Sequence, residues 1–358
     1  MNLKSWLREF LKYNCYSIYS FYRQIILRLD YLFFKLFKRV SESLTKKDIN
    51  KICVFMEKPA LGEFVIREPF FRLLKKWKPN LQIDVFMSLK YSPIYNHLNV
   101  TVKNFKSLNK NKLKKYDVCF VILPTSIKFI KMAKDAKIKW VIFYGNVFYN
   151  GIKGLLFTHK VPAYKFDKKH EFERVMATLK FLPKFRLEKI EPNLDIVKKK
   201  KNYFIVNPCG TQLIRRWSPK NWAKVIDYLI EKYNFSAYLT GVKEDFEEGE
   251  KIKKLSTYKR NIKNLCGKTG IKELIDLVAE SKLVLSVDTG TAHLAAALKI
   301  PLIVLFNRVH PSFCKPLGKN VITIYKPVGN LFSPKPNESM KNITVENIIT
   351  KIKLLNLD

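Results

Sequence analysis

The chain has 358 residues, 47% of them hydrophobic, with 12 glycines and 16 prolines, which leaves room for two domains with cores and excludes a disordered or collagen-like polymer. Its 67 lysines and arginines against 30 acids give a net charge of +37, spread along the chain rather than held in one tail. One reading of that charge is the lysine-rich usage an AT-rich genome produces, which carries no function; a charge this large also attracts polyanions and anionic membrane surfaces.

The first segment, Met1 to about Thr45, places Leu7, Leu11, Ile18, Ile25, Leu29, Leu32 and Leu36 at helical spacings among aromatics and cations. Its longest uncharged run, Tyr13–Tyr22, is far short of the roughly twenty residues that span a bilayer, and it lacks the regions of a cleavable signal. Two readings stand: a helix lying in an anionic membrane interface, or helices packed on the body or on a partner.

From Asn50 strands and helices alternate. Strands are expected at Lys51–Met56, Gln82–Met87, Tyr116–Leu123 and Trp140–Tyr144. A helix of about four turns follows Gly62 and runs to Trp77, with others near Ser126–Ala136 and Lys168–Leu182. The charged stretch Leu187–Asn202 suits a linker. The alternation then resumes, with strands at Tyr203–Asn207, Ala237–Thr240, Ile262–Leu265, Leu283–Val287, Leu302–Phe306 and Val321–Tyr325. Helices fit Pro219–Lys232, Asp245–Leu255, Ile271–Ala279, Thr291–Leu298 and Val345–Leu355.

The expected architecture is therefore α/β, two Rossmann-like doubly wound domains facing a cleft, behind an N-terminal helical extension. The boundaries read as 1–48 for the extension, 49–190 for the first domain, 191–202 for the linker and 203–358 for the second. The closing helix is a candidate to pack back on the first domain.

The richest stretch is Lys282–Phe306, KLVLSVDTGTAHLAAALKIPLIVLF. It reads as strand, tight turn, helix and strand, with Asp288, Thr289, Gly290, Thr291 and His293 at the carboxyl end of the first strand. A helix N-terminus behind a glycine suits a diphosphate. Ala60-Leu61-Gly62-Glu63 follows another strand, with Gly62 in a sharp turn. Glu63 there is either a general base or a first-turn carboxylate favoured by the helix dipole. In the third site, Asn207-Pro208-Cys209-Gly210-Thr211, then Arg215 and Arg216, form either a diphosphate clamp or ordinary solvated charge. Gly241, ahead of Glu244 and Asp245, ends a further strand, and either acid is a ribose ligand or a helix-start residue. Gly267 closes one more strand-end turn, whose backbone could border the base.

No GxGxxG or P-loop appears. The six cysteines lack CxxC spacing and read as buried reduced thiols, pointing to the cytoplasm, and the histidines show no metal-ligand spacing. No metal or cofactor is expected. No helix-turn-helix, zinc finger or RNP-like motif supports a nucleic-acid partner.

SVDTGTAHLAAALKIPLIVLF, NPCGTQLIRRWSPKNWAKVI and NLCGKTGIKELIDLVAESKLVLSVDTG together resemble glycosyltransferase family 9, the bacterial lipopolysaccharide heptosyltransferases. The resemblance is strong over Tyr203–Leu317, weaker over Lys51–Lys90, and does not reach the first 45 residues. It implies the GT-B fold and an inverting, metal-independent transfer of heptose from an ADP-activated donor to the Kdo/heptose inner core. By position Asp288 resembles the residue holding donor sugar hydroxyls. Thr289, Gly290 and His293 belong to the diphosphate motif, and Thr211 with Arg215 or Arg216 falls at its phosphate-binding pair. Glu244 or Asp245 falls at the ribose acid. Glu63 stands where the family carries Asp as proposed base.

The implied partners are a nucleotide-sugar donor, probed first as ADP-heptose, and an anionic lipid-linked oligosaccharide acceptor. Residues 1–45 would make peripheral contact with the cytoplasmic face of the inner membrane. The alternatives are a related transferase with another nucleotide-sugar or a capsule or glycoprotein acceptor, and a non-catalytic membrane- or nucleic-acid-binding protein on this fold.

Overall fold

Among the described residues, twelve strands form two six-stranded parallel sheets. The computed structural model describes residues 16–37, 43–57, 60–144, 151–162, 165, 169–210, 212–307, 310–326, 340–355 and 357. The chain divides into two compact units, Met1–Ala60 with Arg67–Ile190, and Leu61–Ile66 with Glu191–Asp358.

The first unit carries β1 (Lys51–Phe55), β2 (Gln82–Phe86), β3 (Thr101–Lys103), β4 (Val118–Val121), β5 (Trp140–Phe143) and β6 (His159–Lys160) in the order β3-β2-β1-β4-β5-β6. Every paired strand is parallel. β4 and β5 are buried at every residue, as continuous apolar runs covered on both faces should be. Phe55, Phe70, Phe71, Phe86 and Phe120 meet largely edge-on across this core.

The leading helix, Tyr16–Phe37, lies on this unit, packed on the short helical stretch Gly151–Leu156. Leu27 and Phe34 are buried, and Asp30 meets the buried Lys160 of β6 at 2.5 Å. Residues 1–15 and 38–42 of the expected extension lie outside the described residues.

The second unit carries β7 (Tyr203–Asn207), β8 (Ser236–Leu239), β9 (Ile262–Asn264), β10 (Leu283–Val287), β11 (Leu302–Phe306) and β12 (Val321–Tyr325) in the order β12-β11-β10-β7-β8-β9. Counted within each unit, both sheets follow the order of a doubly wound dinucleotide-type fold, with the reversal between the first and fourth strands. The core gathers Phe204, Val206, Trp222, Ile226 and Leu285.

Three expectations are corrected here. The four-turn helix expected up to Trp77 is two, Leu61–Val65 and Glu68–Trp77, because Pro69 sits in the first turn of the second and cannot donate a bond to continue the first. The closing helix, expected as a candidate to pack back on the first domain, packs on its own unit as Val345–Ile352, with Ile348 and Ile352 buried in the core that holds Trp222. Residues 61–66, expected within the first domain, group with the second unit, and so does the linker. There Leu194 is buried and its amide bonds the Ala297 carbonyl, while Lys200 Nζ donates to the Ala279 carbonyl.

Candidate functional site

In the second unit β7 and β10 are neighbours, with Asn207 opposite Ser286, and the chain leaves both at the same edge. This is the reversal point of the strand order, where an open parallel sheet leaves a crevice.

The buried Asn207 joins three elements there. Its Nδ2 donates to the Thr240 carbonyl at 3.0 Å, to Thr240 Oγ1 at 3.3 Å and to Thr291 Oγ1 at 3.1 Å. Its Oδ1 is buried and has no partner among the described residues. On the other strand Ser286 Oγ donates to the Val287 carbonyl at 2.7 Å and lies 3.0 Å from Thr289 Oγ1, which fixes the turn into the helix Gly290–Ala297. Thr289 is the N-cap residue, in extended conformation, and Thr291 through Ala297 are all buried. A helix apolar on every side has to be enclosed.

Arg215 reaches the same turn. Its Nη1 donates to the Asp288 carbonyl at 3.0 Å and lies 3.1 Å from Asp288 Oδ2. Burial pushes the Asp288 carboxyl above its ordinary range, and the Arg215 guanidinium partly opposes that shift. Arg216 turns the other way, with Nη2 3.3 Å from Asp245 Oδ1. The Nε atoms of both arginines are buried without a partner among the described residues. The loop that carries them is anchored by Trp217, whose Nε1 donates to the Ile343 carbonyl and whose ring stands edge-on to Trp222.

Asp245 is buried and occupied, because its Oδ2 accepts the Val242 amide at 3.0 Å while Oδ1 faces Arg216. Glu244 beside it is exposed. Gly267 has φ of +73°, a true left-handed turn, and its amide bonds the Gly241 carbonyl, so the ends of β8 and β9 are tied together. Lys268 lies over the Phe246 ring at 5.0 Å. Gly210 and Gly241 stand against Arg215 and Asp245, respectively. Thr211 lies outside the described residues.

The helix that carries Glu63 meets this site through a backbone contact. A Cβ on Gly290 would stand 2.5 Å from Leu61 Cβ and 2.9 Å from the Gly62 amide nitrogen, and one on Gly62 would stand 2.6 Å from His293 Cδ2. Gly62 therefore serves close approach inside the helix Leu61–Val65, not the sharp turn expected for it. That contact puts the half-buried Glu63 on the helix beside the Asp288–His293 turn. The buried His293 packs against Gly62.

The thiols of Cys209 and Cys266 are raised by burial, the second to about 12, as suits inert buried cysteines. The sequence places Asn207 at the head of the third site but assigns it no role; an amide at a strand end before Pro-Cys-Gly was the signal for one. Sequence reasoning also missed Glu57, at the end of β1 in the first unit, whose carboxylate accepts both the amide and the hydroxyl of Ser126 at the start of the helix after β4.

The model of the family described as Glycosyltransferase family 9 (heptosyltransferase) matches residues 162–343. Lipooligosaccharide heptosyltransferase 2 of Haemophilus ducreyi is 32% identical over 152 residues, 39% of this chain and 43% of that protein, so the match spans less than half the relative's length. Lipopolysaccharide heptosyltransferase 3 of Escherichia coli is 25% identical over 297 residues, 74% of this chain and 85% of that protein. Among solved structures, the Escherichia coli ADP-heptose lipopolysaccharide heptosyltransferase II superposes with a TM-score of 0.70 at 21% identity, covering 85% of this chain and 98% of that one. The Escherichia coli heptosyltransferase WaaC with ADP gives 0.68 at 16% identity, covering 85% and 99%. At those identities the structures establish a shared fold.

Proposed function

The chain belongs to glycosyltransferase family 9, and from that premise we propose that it transfers heptose from an ADP-activated donor to the Kdo/heptose inner core of lipopolysaccharide, with inversion and without a metal. The observation that carries this reading is the Asp288–Arg215 pair at the reversal point of the second sheet, beside two buried guanidinium Nε donors with no partner among the described residues. Buried N–H donors of fixed charge call for an anion.

In this reading the ADP diphosphate lies against Arg215, Arg216 and the amides that open the helix Gly290–Ala297, where the helix dipole adds to the attraction. The sequence resemblance assigns Thr211 to the same role. Asp288 accepts donor sugar hydroxyls, and its pairing with Arg215 holds the carboxylate in place for them. The exposed Glu244 takes the ribose hydroxyls, because Asp245 is committed to Val242 and Arg216. The turns at Gly241 and Gly267 border the base.

The reaction is a single displacement. Glu63 removes the proton from the acceptor hydroxyl, and that oxygen forms a bond to the anomeric carbon as the carbon's bond to the diphosphate oxygen breaks. The proton ends on the Glu63 carboxylate and the electron pair on ADP. Donors already aimed at the leaving oxygens favour the transition state, typically by about 10²–10³-fold for one such group. The donor serves as substrate, and no cofactor enters the scheme. The acceptor is an anionic, lipid-linked oligosaccharide, and the enzyme works on the cytoplasmic face of the inner membrane.

Calorimetry with ADP, UDP and GDP, followed by transfer assays with ADP-heptose and a Kdo-bearing lipid, tests the proposal. Tight binding of ADP alone and heptose transfer are expected. Preference for UDP or GDP would overturn the donor assignment, and no nucleotide binding at all would overturn the transferase reading.

A further inference from the structure

The leading helix carries two apolar faces, and the fold uses one. Leu27 and Phe34 are buried on the first unit, and Asp30, an acid on the same side, is turned inward against the buried Lys160. The opposite side presents Ile25, Leu29, Leu32 and Leu36, spaced four, three and four residues apart and therefore in one stripe. Leu29 is 57%, Leu32 53% and Leu36 70% exposed. Ile26 and Phe37 widen the stripe along one edge. Arg28 and Lys35, both exposed and seven residues apart, line the other edge.

A globular surface seldom leaves a continuous leucine stripe in water without a partner for it. Solved structures of the fold are covered to 98% and 99% of their length while 15% of this chain lies outside the match, so the fold itself does not require the additional length. No described helix is long and apolar enough to cross a membrane.

We propose that the stripe Ile25–Leu29–Leu32–Leu36 is a docking surface for an anionic lipid bilayer, into which the helix sinks lengthwise. The occupant follows from charge. The helix's described acid, Asp30, is turned inward and neutralised by Lys160, so among the described side chains the outward face combines apolar groups with Arg28 and Lys35 as its charges. That is the composition of an interfacial helix, with basic side chains at the headgroups and leucines among the acyl chains. A second copy of this chain would bring Arg28 against Arg28 or Lys35 in a protein already carrying +37, which disfavours self-association through this face. The Asp30–Lys160 pair and the Leu27 and Phe34 contacts fix the helix on the body, so the stripe is presented outward rather than free to fold inward. This surface extends the transferase reading, since it would hold the enzyme where a lipid-linked acceptor lies.

The test uses the full chain. Co-sedimentation is measured with vesicles of phosphatidylcholine alone and with added phosphatidylglycerol, for the parent, for Leu29→Glu with Leu32→Glu, and for the milder Leu29→Gln with Leu32→Gln. ADP binding by calorimetry and mass by sedimentation are measured without lipid. The expected result is binding to the phosphatidylglycerol vesicles that both double variants weaken by about tenfold or more and that added salt also weakens, with ADP affinity and mass unchanged. Parent-like vesicle binding by the variants, or no vesicle binding by the parent, overturns the proposal. A parent dimer that the variants convert to monomer identifies a second copy as the occupant and also overturns it. Loss of the transferase reading has a separate signature, a parent that binds vesicles but no ADP.

Discussion

The two sheets share one strand order, but their reversal points are finished differently. In the first, the carboxylate of Glu57 at the end of β1 is satisfied by the amide and hydroxyl of Ser126 after β4. In the second, Asn207 Oδ1, Arg215 Nε and Arg216 Nε are buried with no partner among the described residues, and burial raises the Asp288 carboxyl. Topology thus supplies the reversal point twice, while the second carries buried guanidinium Nε donors with no partner among the described residues, the groups on which the proposed diphosphate site rests.

The largest expected effect comes from the residue that reaches the second site through the Gly62–Gly290 contact. Glu63→Gln should lower kcat by about 10²–10⁴-fold, the usual worth of a positioned general base, and leave ADP affinity unchanged because the base meets the acceptor. Glu63→Asp should keep part of the activity. Full transfer by the Gln variant would remove Glu63 from the chemistry.

Next comes the contrast itself. Asp288→Asn should cost about 10²-fold in transfer, whereas Glu57→Gln should leave ADP affinity untouched and cost about 1 kcal/mol of stability. Equal loss of ADP affinity in both would end the distinction between the two crevices. The pH dependence carries a sign. Because burial raises the folded pKa of Asp288 above the ordinary 3.8, its ionisation costs stability as pH climbs through that raised value. Any advantage of the parent is therefore fully present below the ordinary value and lost as pH rises from there through the raised one. The Asn variant should be at least as heat-stable as the parent at neutral pH, with the difference shrinking in acid, as scanning calorimetry would record.

The second unit was the more legible in the sequence. Five-residue apolar runs such as Leu283–Val287 and Leu302–Phe306 are strands to the residue, because buried parallel strands need unbroken apolar stretches. The edge strands Thr101–Lys103 and His159–Lys160 were not visible, being two or three residues long and without such a run. Pro69 did announce the helix break, but the apolar residues recurring at helical spacing across it, from Phe64 to Trp77, imitate a single helix. The motif residues Asp288 to His293 stood out, whereas the parting of Arg215 toward Asp288 and Arg216 toward Asp245 depends on tertiary packing that neighbouring residues in sequence do not encode. The same holds for the leading helix, whose leucines on both sides look alike until Lys160 selects the face bearing Asp30.

The smallest effect tests how Glu63 is delivered to the second site. Gly290→Ala would put a methyl group 2.5 Å from Leu61 Cβ and 2.9 Å from the Gly62 nitrogen, too close for either to stay. The backbone of Leu61–Val65 cannot yield as a flexible side chain would, so the variant should lose about 1–3 kcal/mol and a few degrees of thermal midpoint. Displacing that helix moves Glu63 relative to the Asp288 turn, while Asn207 keeps its bond to Thr240, Arg216 its pair with Asp245 and Arg215 its bond to the Asp288 carbonyl, none of which involves Leu61–Val65. The functional signature is therefore a fall in kcat with ADP affinity retained. If ADP binding and turnover fell together, the helix would be part of the donor pocket, and Glu63 would have to be reassigned to the donor.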